Sequence, residues 1–148
     1  MLMTFQNIPY EELNNKQKEA YNFQKVSAVL ANFGIMTIRL SNDWNGADFI
    51  AQLHDGKTFL KVQLKSRLTF DKKYRDKDLY ICFRDGNGDH DPWYLYPHTE
   101  MLELNQNKGY IGKKYWDEHE DYSNPKPSKG QQELLEPYQL KPGYTLSL

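Results

Sequence analysis

Cysteine is almost missing from this chain. The single thiol, Cys82, excludes an internal disulfide framework and a cysteine-based zinc site. Long apolar runs are missing too, with nothing near the ~20 residues that a membrane-spanning helix needs. The first residues, Met-Leu-Met-Thr-Phe-Gln, carry no basic stretch followed by an apolar one, so no signal peptide is expected. These absences point to a cytoplasmic protein. A dominant charge is also lacking. The 19 Lys and Arg against 20 Asp and Glu leave a net charge of −1, which does not announce a nucleic-acid binder. His54, His90, His98 and His119 show no paired metal spacing and read as surface side chains, with His98 the one placed to line a cleft. Asp85-X-Asn87-X-Asp89-X-Asp91 imitates a calcium loop. It has His90 where glycine is needed and no glutamate at the twelfth position, so it reads as a polar turn.

What is present describes a folded domain. With 148 residues, 39% hydrophobic and 14% aromatic, the chain can bury one real core and is too aromatic for a disordered segment. Residues 1–148 read as one domain, with a core over 16–105 and a polar, tyrosine-rich C-terminal extension over 106–148. Charge is uneven along it. Lys57, Lys61, Lys65, Arg67, Lys72, Lys73, Arg75 and Lys77 are interrupted by Asp71 and Asp76, a basic stretch that could meet phosphate or could be a solvated loop.

Apolar residues at helical spacing, among them Ala20, Phe23, Val26, Leu30 and Phe33, predict a helix from Lys16 to Phe33. Asn14 or Asn15 suits its cap and Gly34 its stop. Strands are predicted at Ile35 to Leu40, Ala47 to Leu53, Thr58 to Lys65, Asp78 to Arg84 and Trp93 to Tyr96. Ser41 to Gly46 reads as a loop, and Arg67 to Lys77 as a basic loop with room for one helical turn. A helix from Thr99 to Asn105, a short closing helix from Gln131 to Tyr138 and an edge strand from Leu140 complete the pattern. A helix followed by a mixed β-sheet with flanking helices is an α/β (α+β) fold.

Asp55-Gly56 between two strand-like runs is a hairpin signal. A two-residue turn there pairs His54 with Lys57. Counting back then sets Gln52 opposite Phe59, Ile50 opposite Lys61 and Asp48 opposite Gln63. Opposed residues share a face, with Cβ atoms ~4.5–5.5 Å apart, and Lys65, two residues on, shares that face too. Leu60, Val62 and Leu64 point to the other side with Phe49 and Ala51. One end of the hairpin thus gathers a carboxylate, an amide oxygen and an ammonium. The two oxygens suit Mg²⁺, and a lysine beside them can orient a water or stabilise charge growing on a phosphate. Glu19 falls in the apolar stripe of the first helix, where a carboxylate is costly unless paired or metal-bound. It either leans over the sheet edge toward Asp48 or sits solvated at the rim.

The runs Gly46-Ala47-Asp48-Phe49-Ile50-Ala51 and Phe59-Leu60-Lys61-Val62-Gln63-Leu64-Lys65-Ser66 resemble the motifs of the PD-(D/E)XK nuclease superfamily. That superfamily carries an Asp on one strand and Glu-X-Lys on the next, with a Glu on the preceding helix in many members. The resemblance covers residues 16–97. It implies a restriction-endonuclease-like core, similar to small homing endonucleases and Holliday-junction resolvases. It also implies Mg²⁺-dependent (or Mn²⁺-dependent) hydrolysis of phosphodiester bonds in DNA, with RNA left open. On that resemblance Asp48, Gln63, the Leu64 backbone carbonyl and Glu19 hold the metal, and Lys65 positions the attacking water. Arg67, Lys72, Lys73 and Arg75 contact the phosphate backbone. Trp44, just before Asp48, stacks on a base or folds back as a lid. Cutting both strands implies a homodimer or higher homo-oligomer. Two departures stand out. Gln63 replaces the usual Glu, which removes a negative charge from the metal site. Also, only Ser66 to Lys77 separate the third and fourth strands, so the helix the family places there is short or displaced. A nuclease fold that binds nucleic acid without cutting, and a protein-interaction module on this fold, stay open as alternatives.

Overall fold

A computed structural model describes residues 1–44 and 46–148, with the backbone alone at Asp43 and Trp44. Helix α1 (Asn15–Ala31) begins at the expected cap. Asn14 Oδ1 accepts from the Gln17 N–H at 2.8 Å while Gln17 Oε1 accepts from the Asn14 N–H at 2.9 Å, a reciprocal box that satisfies two otherwise orphaned donors. Gly34, at φ +69°, then turns the chain out of the helix in a conformation that favours glycine.

Strands β1 (Met36–Trp44), β2 (Ala47–Gln52) and β3 (Phe59–Leu64) form an antiparallel meander. The chain then crosses over through β4 (Leu68–Asp71) and one 3-10 turn (Lys72–Tyr74) to β5 (Tyr80–Arg84), which runs parallel to β3. Strand β6 (Trp93–Pro97) returns antiparallel, giving a mixed five-stranded sheet of order β1-β2-β3-β5-β6. Helices α2 (His98–Asn107) and α3 (Lys113–Glu118), strand β7 (Asp121–Asn124) and helix α4 (Lys129–Leu135) follow, and β7 pairs with β4 in a second, two-stranded sheet. The fold is mixed α and β. Among the described residues no helix is long and apolar enough to cross a membrane.

The sheet is covered on both faces. Val26 and Leu30 of α1 pack on Phe49, Ala51, Val62 and Cys82. On the other side Ile81, Phe83 and Tyr96 meet Phe70, Leu102 and Leu135. Leu30 and Phe49 are fully buried, each contributing about 1.5–3 kcal/mol of transfer free energy.

The β2–β3 register is the one counted from the sequence: Ile50 opposite Lys61 and Gln52 opposite Phe59. The turn that sets it is wider than two residues. Leu53 N–H donates to Thr58 O and Gly56 N–H to Leu53 O, so His54 to Lys57 form a four-residue loop and His54 does not pair with Lys57. One residue leaves the ladder from each strand, so the register is unchanged. Asp55 holds the loop by accepting from the N–H groups of Lys57 and Thr58 and from Thr58 Oγ1.

Other expectations are corrected. Ser41 to Trp44 belong to β1 rather than to a loop: β1 ends the sheet, and an edge strand tolerates polar residues. The basic loop contains β4 as well as the expected helical turn. No strand forms from Leu140. Instead the Leu140 N–H donates to Trp93 O and Tyr144 OH to Leu95 O, tying the tail across β6.

Helix α4 is fastened to α2 and β7 by a polar network centred on one buried glutamine. Gln131, 2% exposed, donates from Nε2 to Asn105 Oδ1 and Tyr122 OH, while its Oε1 accepts from Asn124 Nδ2 and the Ser128 N–H. Replacing Gln131 with Leu leaves these partners unsatisfied. Chemical denaturation is expected to show a loss of about 2–4 kcal/mol in unfolding free energy, since each orphaned buried group costs ~1–3 kcal/mol.

Candidate active-site edge

The ladder between β2 and β3 is regular down to Phe49 opposite Val62, and there the strands part. Asp48 Oδ2 accepts the Leu64 N–H at 2.9 Å, so a side chain takes a donor that faces β2. Strict alternation would put Ala47 on the same face as Phe49. It packs into the opposite core instead, so the chain bends at Asp48. Gly46, at φ +86°, makes the bend feasible: a Cβ there would stand 3.1 Å from the Tyr74 ring.

Leu64, whose N–H Asp48 accepts, lies between Gln63 and Lys65. Gln63 pairs with Ile81 of β5, and its Oε1 is buried with no hydrogen-bond partner among the described residues. A buried acceptor left in that condition costs ~1–3 kcal/mol, so the position invites a donor, a water or a cation. Lys65 is held to β5 through its N–H to Cys82 O at 2.8 Å, and its ammonium lies 5.5 Å from the centroid of Tyr74. Tyr74 carries Lys73 at 5.2 Å as well.

The donor set fits a hard cation. An ionised carboxylate has about four lone-pair sites, so one bond to a backbone N–H is compatible with a metal. The amide oxygen of Gln63 and the Leu64 carbonyl are neutral oxygen ligands of the kind Mg²⁺ accepts. Among the described residues no group of three or more His, Cys, Asp or Glu converges on a common point.

The remaining candidates lie elsewhere. Glu19 is exposed on α1, whose apolar side covers the opposite face of the sheet. The side chain of Trp44 falls outside the described residues. Arg67 is exposed. Lys72 donates to Asp117 O at 3.4 Å and lies 5.5 Å from the Trp116 ring centroid. Lys73 pairs with Asp71 at 3.9 Å, and Arg75 with Asp76 at 3.9 Å and Glu103 at 3.6 Å. Surface pairs of this type are worth about 0–1 kcal/mol, so they exchange readily for a phosphate. A groove of about 490 Å³ opens at the other end of β3 and β5, between Phe59, Lys61, Asp78 and Glu100. It contains none of Asp48, Gln63 and Lys65.

Two side chains beside the edge escaped the sequence reading. Tyr74 sat among basic residues and read as part of a solvated loop, yet it is buried. His98 is not a surface side chain, being 1% exposed next to Phe70 and Tyr74, but it does line a cleft as expected, the groove at the other end of β3 and β5. The run Trp93 to Tyr96, buried at every position, was the available sign that the chain continues inward. His98 Nε2 accepts the Asp71 N–H at 3.0 Å, which places the ring proton on Nδ1. Burial, opposed in part by the Asp71 carboxylate, pushes the imidazole down to about 4. The unfolded chain, with an ordinary histidine near 6.5, thus binds the proton more readily than the folded one. The stabilisation is fully present above pH ~6.5 and is lost as pH falls through about 4. Urea titrations between pH 7 and 4 are expected to show this loss, of order 3 kcal/mol, and His98→Phe is expected to flatten it.

No family model, no curated protein and no solved structure matches this chain, so its function is argued from its own geometry.

Proposed function

We propose that the chain is a metal-dependent endonuclease on a restriction-endonuclease-like core, hydrolysing phosphodiester bonds in DNA. The observation that carries this reading is the buried Gln63 Oε1, unpartnered among the described residues and next in sequence to Leu64, whose N–H Asp48 accepts. The order of helix, three-stranded meander, crossover and further strand is in keeping with such a core. Its crossover carries β4 and a 3-10 turn where the family places a helix.

In this reading Asp48, Gln63 and the Leu64 carbonyl hold Mg²⁺ or Mn²⁺, with Glu19 as an outlying fourth candidate. The cation supplies neutralisation of phosphate charge and activation of water. Lys65, whose ammonium lies over Tyr74, orients the attacking water and stabilises negative charge on the phosphoryl group. Arg67 contacts the phosphate backbone, Lys72, Lys73 and Arg75 exchange their surface partners for it, and Trp44 stacks on a base. Mg²⁺ is usually held by one or two carboxylates plus substrate phosphates. Metal affinity without DNA is accordingly expected to be weak. Cleavage of both strands calls for a homodimer, and the protein acts in the cytoplasm.

A second reading, binding of nucleic acid without cleavage, is favoured by Gln63, which removes one negative charge from the metal site relative to the family's Glu-X-Lys. Plasmid nicking with Mg²⁺ or Mn²⁺ separates the two. Metal-dependent nicking is expected from the wild type, falling about 10²-fold or more in Lys65→Ala and Asp48→Asn. Gln63→Glu, which adds a second carboxylate, is expected to tighten the metal. Salt-sensitive DNA binding without nicking under either metal would establish the second reading. Undiminished nicking by Lys65→Ala would sink the first.

A further inference from the structure

Arg84 is a buried cation that the proposed reaction does not use. It closes β5 and is 5% exposed. Its guanidinium carbon lies 5.1 Å from the ring centroid of Trp93 and 5.9 Å from that of Tyr21. Nη1 donates to Gly88 O at 3.1 Å, whereas Nε and Nη2 are buried and have no hydrogen-bond partner among the described residues. Among the described residues Arg84 makes no ion pair.

A guanidinium in this state is expensive, because an uncompensated buried charge loses its hydration without recovering it. The two empty nitrogens are also a particular pair. The Nε–H and the Nη2–H nearest it project side by side from one edge of the plane. They form the fork that matches two oxygens of a carboxylate or phosphate. The flanking rings limit how the plane can turn, so the fork is fixed before any ligand arrives.

A second cation shares the location. Lys25 Nζ lies 5.2 Å from the same Tyr21 ring and pairs with Asp89 at 3.3 Å. That pair is exposed and exchangeable. Residues 86 to 90, which carry Gly88 and Asp89, are exposed and include two glycines. Lifting this loop would release both the Gly88 bond and the Asp89 pair, opening a route to the fork. Two positive charges suit a phosphate better than a singly charged carboxylate.

We infer that the Nε/Nη2 fork of Arg84, assisted by Lys25, is a binding point for a phosphate group, reached when the 86–90 loop lifts. The site is independent of the nuclease reading. Arg84 is two residues beyond Cys82 on β5 and stacks on Tyr21 of α1, so the fork lies on the α1 face of the sheet, the opposite face from Gln63 and Lys65. The phosphate could come free in solution or from a nucleotide chain.

The test is an NMR titration of the full chain at pH 7 with sodium phosphate, against sodium chloride of matched ionic strength, following the Arg84 Nε–H signal. A saturable shift is expected with phosphate and none with chloride or acetate, together with a phosphate-dependent rise in melting temperature. Arg84→Lys, which keeps the charge and loses the fork, is expected to bind phosphate at least ~tenfold more weakly by the melting assay, and Lys25→Met to weaken it less. A non-saturating response, an equal response to acetate, or an unchanged affinity in Arg84→Lys would overturn the assignment. Should Arg84→Lys fail to fold, the wild-type Nε–H titration decides alone. A dinucleoside monophosphate run in parallel identifies the source: tighter binding than inorganic phosphate points to a nucleotide chain, weaker binding to the free ion. Either result requires the fork, and failure of both ligands removes it. Nicking activity enters none of these readouts.

Discussion

The bond from the Leu64 N–H to Asp48 Oδ2 is the constraint around which the candidate site is arranged. A backbone donor that faces β2 needs an acceptor, and one left buried and unpaired would be costly. Supplying it from a side chain lets the strands part without leaving an orphan. The parting in turn gives Gly46 and Ala47 freedom to bend toward the other core, over Tyr74. Changing Asp48 would therefore do two things at once, removing a charge and reopening a question of backbone geometry.

The crossover completes the arrangement by a chain of short-range bonds. Asp71 Oδ1 accepts the Lys73 N–H and opens the 3-10 turn, while the Asp71 N–H donates to the buried His98. These two bonds fix the turn that carries Tyr74. Tyr74 then meets both the Gly46 bend and the Lys65 ammonium. A buried imidazole and a half-buried lysine thus lean on the same ring. The site is rigid on its sheet side and depends on this turn for the rest.

Much of this was legible in the residues because it follows from local rules. The Asn14 cap, the helix it opens and the β2–β3 register all came from patterns spanning a few positions. The register held even though the turn is wider, since the loop takes its extra residues symmetrically. What was not legible is long-range. Strand β4 is only four residues, and its partner β7 lies beyond two helices, so no local alternation announces either. His98 was misread because burial is decided by Phe70 and Tyr74 packing on it, not by its neighbours in sequence. The empty fork of Arg84 and the unpartnered oxygen of Gln63 are likewise properties of surroundings, not of residue type.

The β4–β7 pair has a consequence for how the chain comes to be folded during synthesis. Strand β4 emerges before its partner at Asp121 to Asn124 and before the Gln131 that braces that partner. Contacts between residues so far apart form late and slow the search. Helix α1 and the β1–β3 meander can gather before β7 and α4 are made, but Phe70 and Ile81 must wait with apolar surface uncovered. For that interval the nascent chain is a natural client for a chaperone that binds exposed hydrophobic segments.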